Sequence, residues 1–153
     1  ARCFAKSTSR GPIPYFKAVM REFFRYKPET YTVEAGGDIT SHTAFVLTLA
    51  NTSQYGNNAY IAPGATVTDG LLDFSALRPF GLFGALGLGF RLFNRTIHRS
   101  RLSTSFQTKE IVIKGENLNF HVDGEPVKNS KPLHISIDPL SLNIVVPGKA
   151  IRS

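Results

Sequence analysis

Leu118-Asn119-Phe120-His121-Val122-Asp123-Gly124 is the stretch whose reading decides the fold. Leu118, Phe120 and Val122 alternate with Asn119, His121 and Asp123, the period of two that gives a strand one buried and one polar face. Asp123-Gly124 then supplies the commonest short signal for a hairpin turn. Downstream, Leu133, Ile135 and Ile137 alternate with His134 and Ser136, and Leu142–Val146 is a further short β-rich run. Upstream, Phe106–Lys114, Leu71–Leu77, Ala44–Leu49 and Tyr31–Glu34 have strand composition, the last two joined through a Gly36-Gly37-Asp38 turn. The fold class is therefore mainly β, a two-sheet β-sandwich with about two accessory helices.

The helices are expected at two places. From Pro12 to Tyr26, Tyr15, Phe16, Val19, Met20, Phe23 and Phe24 recur at helical spacing, with prolines in the first turn and Pro28 as the stop. Pro79–Ile97 carries Phe and Leu interrupted by Gly81, Gly84, Gly87 and Gly89, a helix weakened by about 1 kcal/mol at each interior glycine. Between the strands, Asn51–Asp69 is rich in Asn, Gly, Pro, Ser and Thr and reads as a long ordered loop, a candidate functional element.

The 153 residues fit one domain, and 42% hydrophobic against 19% charged residues excludes disordered and fibrous classes. Cys3 has no partner for a disulfide, which is compatible with a reducing compartment. No apolar signal segment opens the chain, and a start at Ala1 suggests a piece excised from something longer. The net charge of +7 points to an anionic partner: phosphate, nucleic acid or a membrane surface. It is concentrated in two blocks. Residues 1–27 set seven Lys and Arg against Glu22, and residues 78–101 carry Arg78, Arg91, Arg95, Arg99 and Arg101 with no acid. The second block follows the Gly/Phe/Leu segment, so Arg91, Arg95 and Arg99 are candidates for contact with lipid headgroups or phosphate, against the plainer reading of solvated arginines on a packed helix. No RNA- or DNA-reading motif accompanies the charge, and nucleic acid is set aside.

Three elements could carry chemistry. In Asp123-Gly124-Glu125, two carboxylates beside a glycine could hold a metal or take a proton from a hydroxyl; in an extended chain with Val122 in the core they would share a face about 7 Å apart. A plain hairpin turn competes, and a turn and a site can coincide. In Asp69-Gly70-Leu71-Leu72-Asp73, a carboxylate with neighbouring carbonyls suits Mg2+ or Ca2+, again against an ordinary turn. Asn51-Thr52-Ser53-Gln54-Tyr55-Gly56-Asn57-Asn58 holds residues that tolerate left-handed backbone. Gly36-Gly37-Asp38 imitates a phosphate loop but links two strands, so it reads as a hairpin turn. His42, His98, His121 and His134 are too scattered for a zinc site.

Taken in order, Arg10-Gly11 with Tyr15, Asn51 with Tyr55-Gly56, Ile61-Ala62-Pro63 with Ala65, Asp69-Gly70-Leu71-Leu72-Asp73, Asp123-Gly124-Glu125 and Val146-Pro147 resemble the C-terminal half of soluble bacterial diacylglycerol kinase-like lipid kinases, relatives of the sphingosine kinases. The resemblance covers nearly the whole chain, so 1–153 reads as one such domain. It implies a β-sandwich domain preceded by a nucleotide-binding domain whose GGDGT-type loop this chain lacks, with the active site between them. It further implies that Asp123 is the base for the lipid hydroxyl and that Glu125 supports the magnesium network. A structural magnesium would sit at Asp69 and the carbonyls of Thr66 and Leu71, with Asn51, Tyr55 and Gly56 on a loop facing the cleft. Where relatives often run glycines after the tyrosine, this chain has Gly56-Asn57-Asn58. ATP is implied as co-substrate, the missing nucleotide domain and a lipid as partners, and the cytoplasm as location, with peripheral contact at the inner membrane face; a homodimer is left open. The fragment alone is expected to be inactive. A non-enzymatic lipid- or membrane-binding module and a NAD kinase-type domain are the competing readings.

Overall fold

The computed structural model describes residues 25–55, 58–116, 118–129 and 131–143. Within them are nine strands, β1 (Glu29–Ala35), β2 (Asp38–Ala44), β3 (Val46–Ala50), β4 (Leu72–Leu77), β5 (Ser103–Thr108), β6 (Glu110–Lys114), β7 (Leu118–Val122), β8 (Glu125–Asn129) and β9 (Leu133–Ser136), one helix, α1 (Leu82–Phe93), and a 3-10 turn at Ile97–Arg99. All pairings are antiparallel. The strand orders are β2-β1-β6-β9, β3-β4-β5, and a separate β7-β8 ribbon.

The two larger sheets face each other across one core. Val33, Ala44, Ile111 and Ile113 come from the first, Phe74 and Ala76 from the second, and Leu118 at the base of the ribbon closes it. Phe74 is fully buried and stacks on Phe106 at 4.5 Å between ring centroids. The expected sandwich is thus the observed architecture.

Four strand expectations change. Phe106–Lys114 is not one strand: the chain turns at Lys109, where Thr108 Oγ1 donates to the Glu110 carbonyl, and its halves join different sheets. Asp38–Ala44, polar enough to pass for a turn, is an edge strand exposed along most of its length. Glu125–Asn129 is a strand despite Pro126, which an unpaired ribbon edge tolerates. Leu142 and Asn143 carry no strand, and the rest of Leu142–Val146 lies outside the described residues, as does nearly all of the helix expected over Pro12–Tyr26.

Helix α1 is shorter than Pro79–Ile97 and covers one end of the three-stranded sheet. Leu88 packs with Leu77 and Ile97, joined by half-buried Phe80, Leu92 and Leu102. Gly84 is required there, since a Cβ would lie 2.9 Å from the Phe80 Cβ.

Candidate functional site

Asp123 and Gly124 are the two central residues of the β7–β8 hairpin, with Val122 paired to Glu125. Both have positive φ, 49° and 93°, as a tight two-residue turn matching strand twist requires. Aspartate tolerates this conformation better than most side chains, which is why Asp-Gly folds this way locally. His121 Nδ1 lies 3.4 Å from the Gly124 carbonyl across the turn.

The sequence expectation for this element needs correcting in two respects. Val122 is 54% exposed, because the ribbon runs out from the sandwich: only Leu118 at its base is buried, Phe120 is half-buried, and beyond it the apolar face is uncovered among the described residues. The chain between Asp123 and Glu125 is a turn, so the two carboxylates do not share a face by extended spacing. Glu125 instead stands on the face of its cross-strand partner Val122. Both acids are exposed at the tip.

The Asp69 element lies elsewhere. Asp69 Oδ1 accepts the Leu71 N–H at 3.0 Å, closing a local turn in which Gly70 has φ of 67° beside the Pro139 ring. Asp73 pairs with Ala50 and Gln107, so this turn and Asn51, which follows Ala50, occupy one end of the three-stranded sheet. Burial raises the Asp73 carboxyl above its ordinary range, the Gln107 amide 3.1 Å away pulls it back, and the Asp69 charge adds to the rise. Asp69 itself is exposed, and a carboxylate beside main-chain carbonyls is a chemistry that suits a hard cation. Among the described residues no group of three or more His, Cys, Asp or Glu could hold a metal.

Along the strands the two acidic elements are reached from opposite ends of β6. The Asp69 turn adjoins Thr108 and Lys109, at the start of β6, while the hairpin leaves the far end of β6 after Lys114. Tyr55 is 71% exposed and its N–H donates to the Ala59 carbonyl at 2.6 Å, in the loop that returns from Asn51 past the end of α1. Gly56 lies outside the described residues.

Of the three arginines singled out, two have partners within the chain. Arg91 is half-buried with Nη1 3.4 Å from the Thr96 carbonyl, and Arg95 stacks on Tyr60. Arg99 is exposed, as are Arg78 and Arg101.

One concave feature escaped the sequence reading. Thr40 and His42 on edge strand β2, with Arg78 just past β4 and Thr104 on β5, line an open groove of about 550 Å³. His42 Nε2 lies 2.9 Å from Thr40 Oγ1, and burial, with the Arg78 charge added, holds its pKa below the ordinary value. His42 and Arg78 are 36 positions apart in a chain whose strand order is nonlocal, so no spacing rule could join them.

The family model for the YegS C-terminal NAD kinase beta sandwich-like domain matches residues 3–146. The chain belongs to this family. A YegS-like lipid kinase of Shewanella frigidimarina is 27% identical over 100 residues, covering 65% of this chain and 32% of that protein. Two structures of a Bacillus anthracis protein assigned as a diacylglycerol kinase share the fold, with TM-scores of 0.55 and 0.62 at 20% and 15% identity, each covering 85% of this chain and 44% and 47% of theirs. The YegS-type domain described here thus spans about a third of the curated relative's length and under half of these structures. Among the described residues no helix is long and apolar enough to cross a membrane.

Proposed function

We propose that this domain is the acceptor-side half of an ATP-dependent lipid kinase that moves the γ-phosphate to the hydroxyl of a diacylglycerol-like lipid in the cytoplasm, and that it is inactive without a nucleotide-binding domain. The observation that carries the reading is the β7–β8 hairpin, which lifts Asp123 and Glu125 out of the sandwich on a stiff two-residue turn. An acid so exposed contributes little to a core and is open to a second domain across a cleft. The family match and the lipid-kinase names of the relatives support the assignment.

In this reading Asp123 accepts the hydroxyl proton as the lipid oxygen bonds to the γ-phosphorus and the bond to the bridging oxygen breaks, releasing ADP. Glu125, across the ribbon from Val122, holds the charge network around the phosphates. Asn51 and Tyr55 stand on a loop that would face the second domain. Asp69 and the carbonyls of Thr66 and Leu71 would hold Mg2+ as a structural ion. Phosphoryl transfer is mostly positioning and charge neutralisation, so one wall of the cleft alone does not turn over.

The test compares ATP-dependent phosphorylation of diacylglycerol by a longer protein containing this sequence and by the 153-residue chain. Asp123→Asn in the longer protein is expected to lower kcat by about 10²–10⁴-fold with unchanged melting temperature. Full activity in that variant would remove Asp123 from the base role, and turnover by the chain alone would refute its inactivity.

A further inference from the structure

The inner face of α1 is accounted for by Leu88 and Leu92, packed over the end of the three-stranded sheet. Its outer face is also apolar and, among the described residues, packs on no comparable cluster. Phe83, Leu86, Phe90 and Phe93 are 89%, 68%, 72% and 62% exposed, and their spacing of three, four and three places them in one stripe. A single exposed Phe needs no explanation, but a continuous aromatic stripe does.

The surroundings of the stripe are basic. No Asp or Glu occurs between Asp73 and Glu110, while five arginines do. The Arg78 N–H donates to the Leu102 carbonyl at 2.8 Å, and Leu102 adjoins Gly84 in the first turns of α1, so Arg78 and Arg101 border that half of the helix. Arg91 and Arg95 border the other half, and Arg99 follows in the 3-10 turn. Of these, Arg91 and Arg95 are tied to Thr96 and Tyr60, while among the described residues exposed Arg78, Arg99 and Arg101 show no side-chain partner and can meet an external anion.

We propose that the outer face of α1 docks on an anionic membrane surface, with Phe83, Leu86, Phe90 and Phe93 entering the headgroup–acyl boundary and Arg99 and Arg101 pairing with lipid phosphates. The 12-residue helix is about 18 Å long, too short to span a bilayer and suited to lying in its plane. Charge selects this occupant over two others. A second copy would bring the same acid-free surface and neutralise nothing. The segment 1–24 has apolar residues of its own but is strongly basic, with Glu22 as its one acid, and would set like charge against the arginines. An anionic bilayer supplies both the apolar depth and the opposite charge.

The inference rests on the lipid-kinase reading for its purpose, since a lipid acceptor must be met at a bilayer. Its test uses no ATP, so its failure leaves the kinase assay untouched, and the reverse holds. The 153-residue chain is sedimented with phosphatidylcholine vesicles with and without phosphatidylglycerol. Binding is expected only with the anionic lipid and is expected to weaken with salt. Phe83→Ser with Phe90→Ser should lower partitioning by about tenfold or more, and Arg99→Gln with Arg101→Gln by roughly fivefold per charge, with melting temperatures unchanged because all four side chains are exposed. Phe83→Ser alone serves if the double variant fails to fold. Equal binding to neutral vesicles, or binding indifferent to Phe83→Ser, would overturn the proposal. So would self-association that these variants abolish without any vesicle binding, which would assign the stripe to a second copy.

Discussion

Arg95 lies over Tyr60, its Cζ 4.1 Å from the ring centroid and its Nη2 donating to the phenol oxygen at 2.6 Å. With the Tyr60 N–H bonded to the Leu92 carbonyl at 3.0 Å, this contact fastens the long loop to the end of α1. Arg95 adopts φ of 57°, which costs a side chain-bearing residue about 1 kcal/mol. Arg95→Ala keeps that cost and loses the stack, so a destabilisation of about 1 kcal/mol is expected. Arg95→Gly loses the stack but relieves the backbone, and should be the milder change. Thermal melts of the pair decide, and equal losses would show that the left-handed conformation costs little here.

The glycines of α1 differ in kind. A methyl at Gly87 meets nothing within 4 Å, so Gly87→Ala should stabilise the domain by about 0.5–1 kcal/mol through helix propensity. At Gly84 the added Cβ would press on the Phe80 Cβ, and the same substitution should destabilise. Opposite shifts in denaturant midpoint are the expected outcome. A gain at both positions would mean that Phe80 moves aside.

His42 makes stability depend on acidity. Its folded pKa lies below the ordinary 6.5 because of burial and then Arg78. The unfolded chain therefore takes up the proton first, and this part of the stability is present above that range and lost as pH falls through it. Arg78→Gln should move the His42 titration, followed by NMR, part of the way back, since burial remains. A pKa that stays where it was would show that Arg78 has no influence.

Phe74 is the centre of the core, buried from both sheets and stacked on Phe106. Phe74→Ala should cost about 3–5 kcal/mol, enough to threaten folding of a domain this size. Chemical denaturation measures it, and a cost under about 1 kcal/mol would mean that the sheets collapse onto the cavity.

The Asp123 turn separates backbone from chemistry. Asp123→Asn and Asp123→Gly both suit φ of 49° and should fold as the parent does, whereas Asp123→Ala should lose about 1 kcal/mol. A melt in which alanine matches asparagine would mean that the turn changes type.

The features readable in the chain were those with a short-range cause. Gly36-Gly37 and Asp123-Gly124 announced their turns because both need positive φ, and each turn joins the strands on either side. The long loop and the glycine-weakened helix were legible from composition for the same reason. Where the reading failed, the cause was remote. The alternation of Leu118, Phe120 and Val122 marks a face, yet whether that face is covered depends on how far the ribbon runs past the sandwich. Phe106–Lys114 has strand chemistry throughout, and only pairing with β4 on one side of Lys109 and with β1 and β9 on the other divides it.

Local chain chemistry was therefore enough for the mainly β class, the hairpin that carries Asp123 and Glu125, and the Asp69-Gly70 turn. Tertiary pairing set the placement: the two acidic elements reached from opposite ends of β6, His42 beside Arg78, Arg95 over Tyr60, and an aromatic stripe on the outer face of α1. The physical reason is that backbone dihedrals and a period of two act over a few residues. Burial and charge pairing are settled between segments tens of residues apart, which meet only when the sheets assemble.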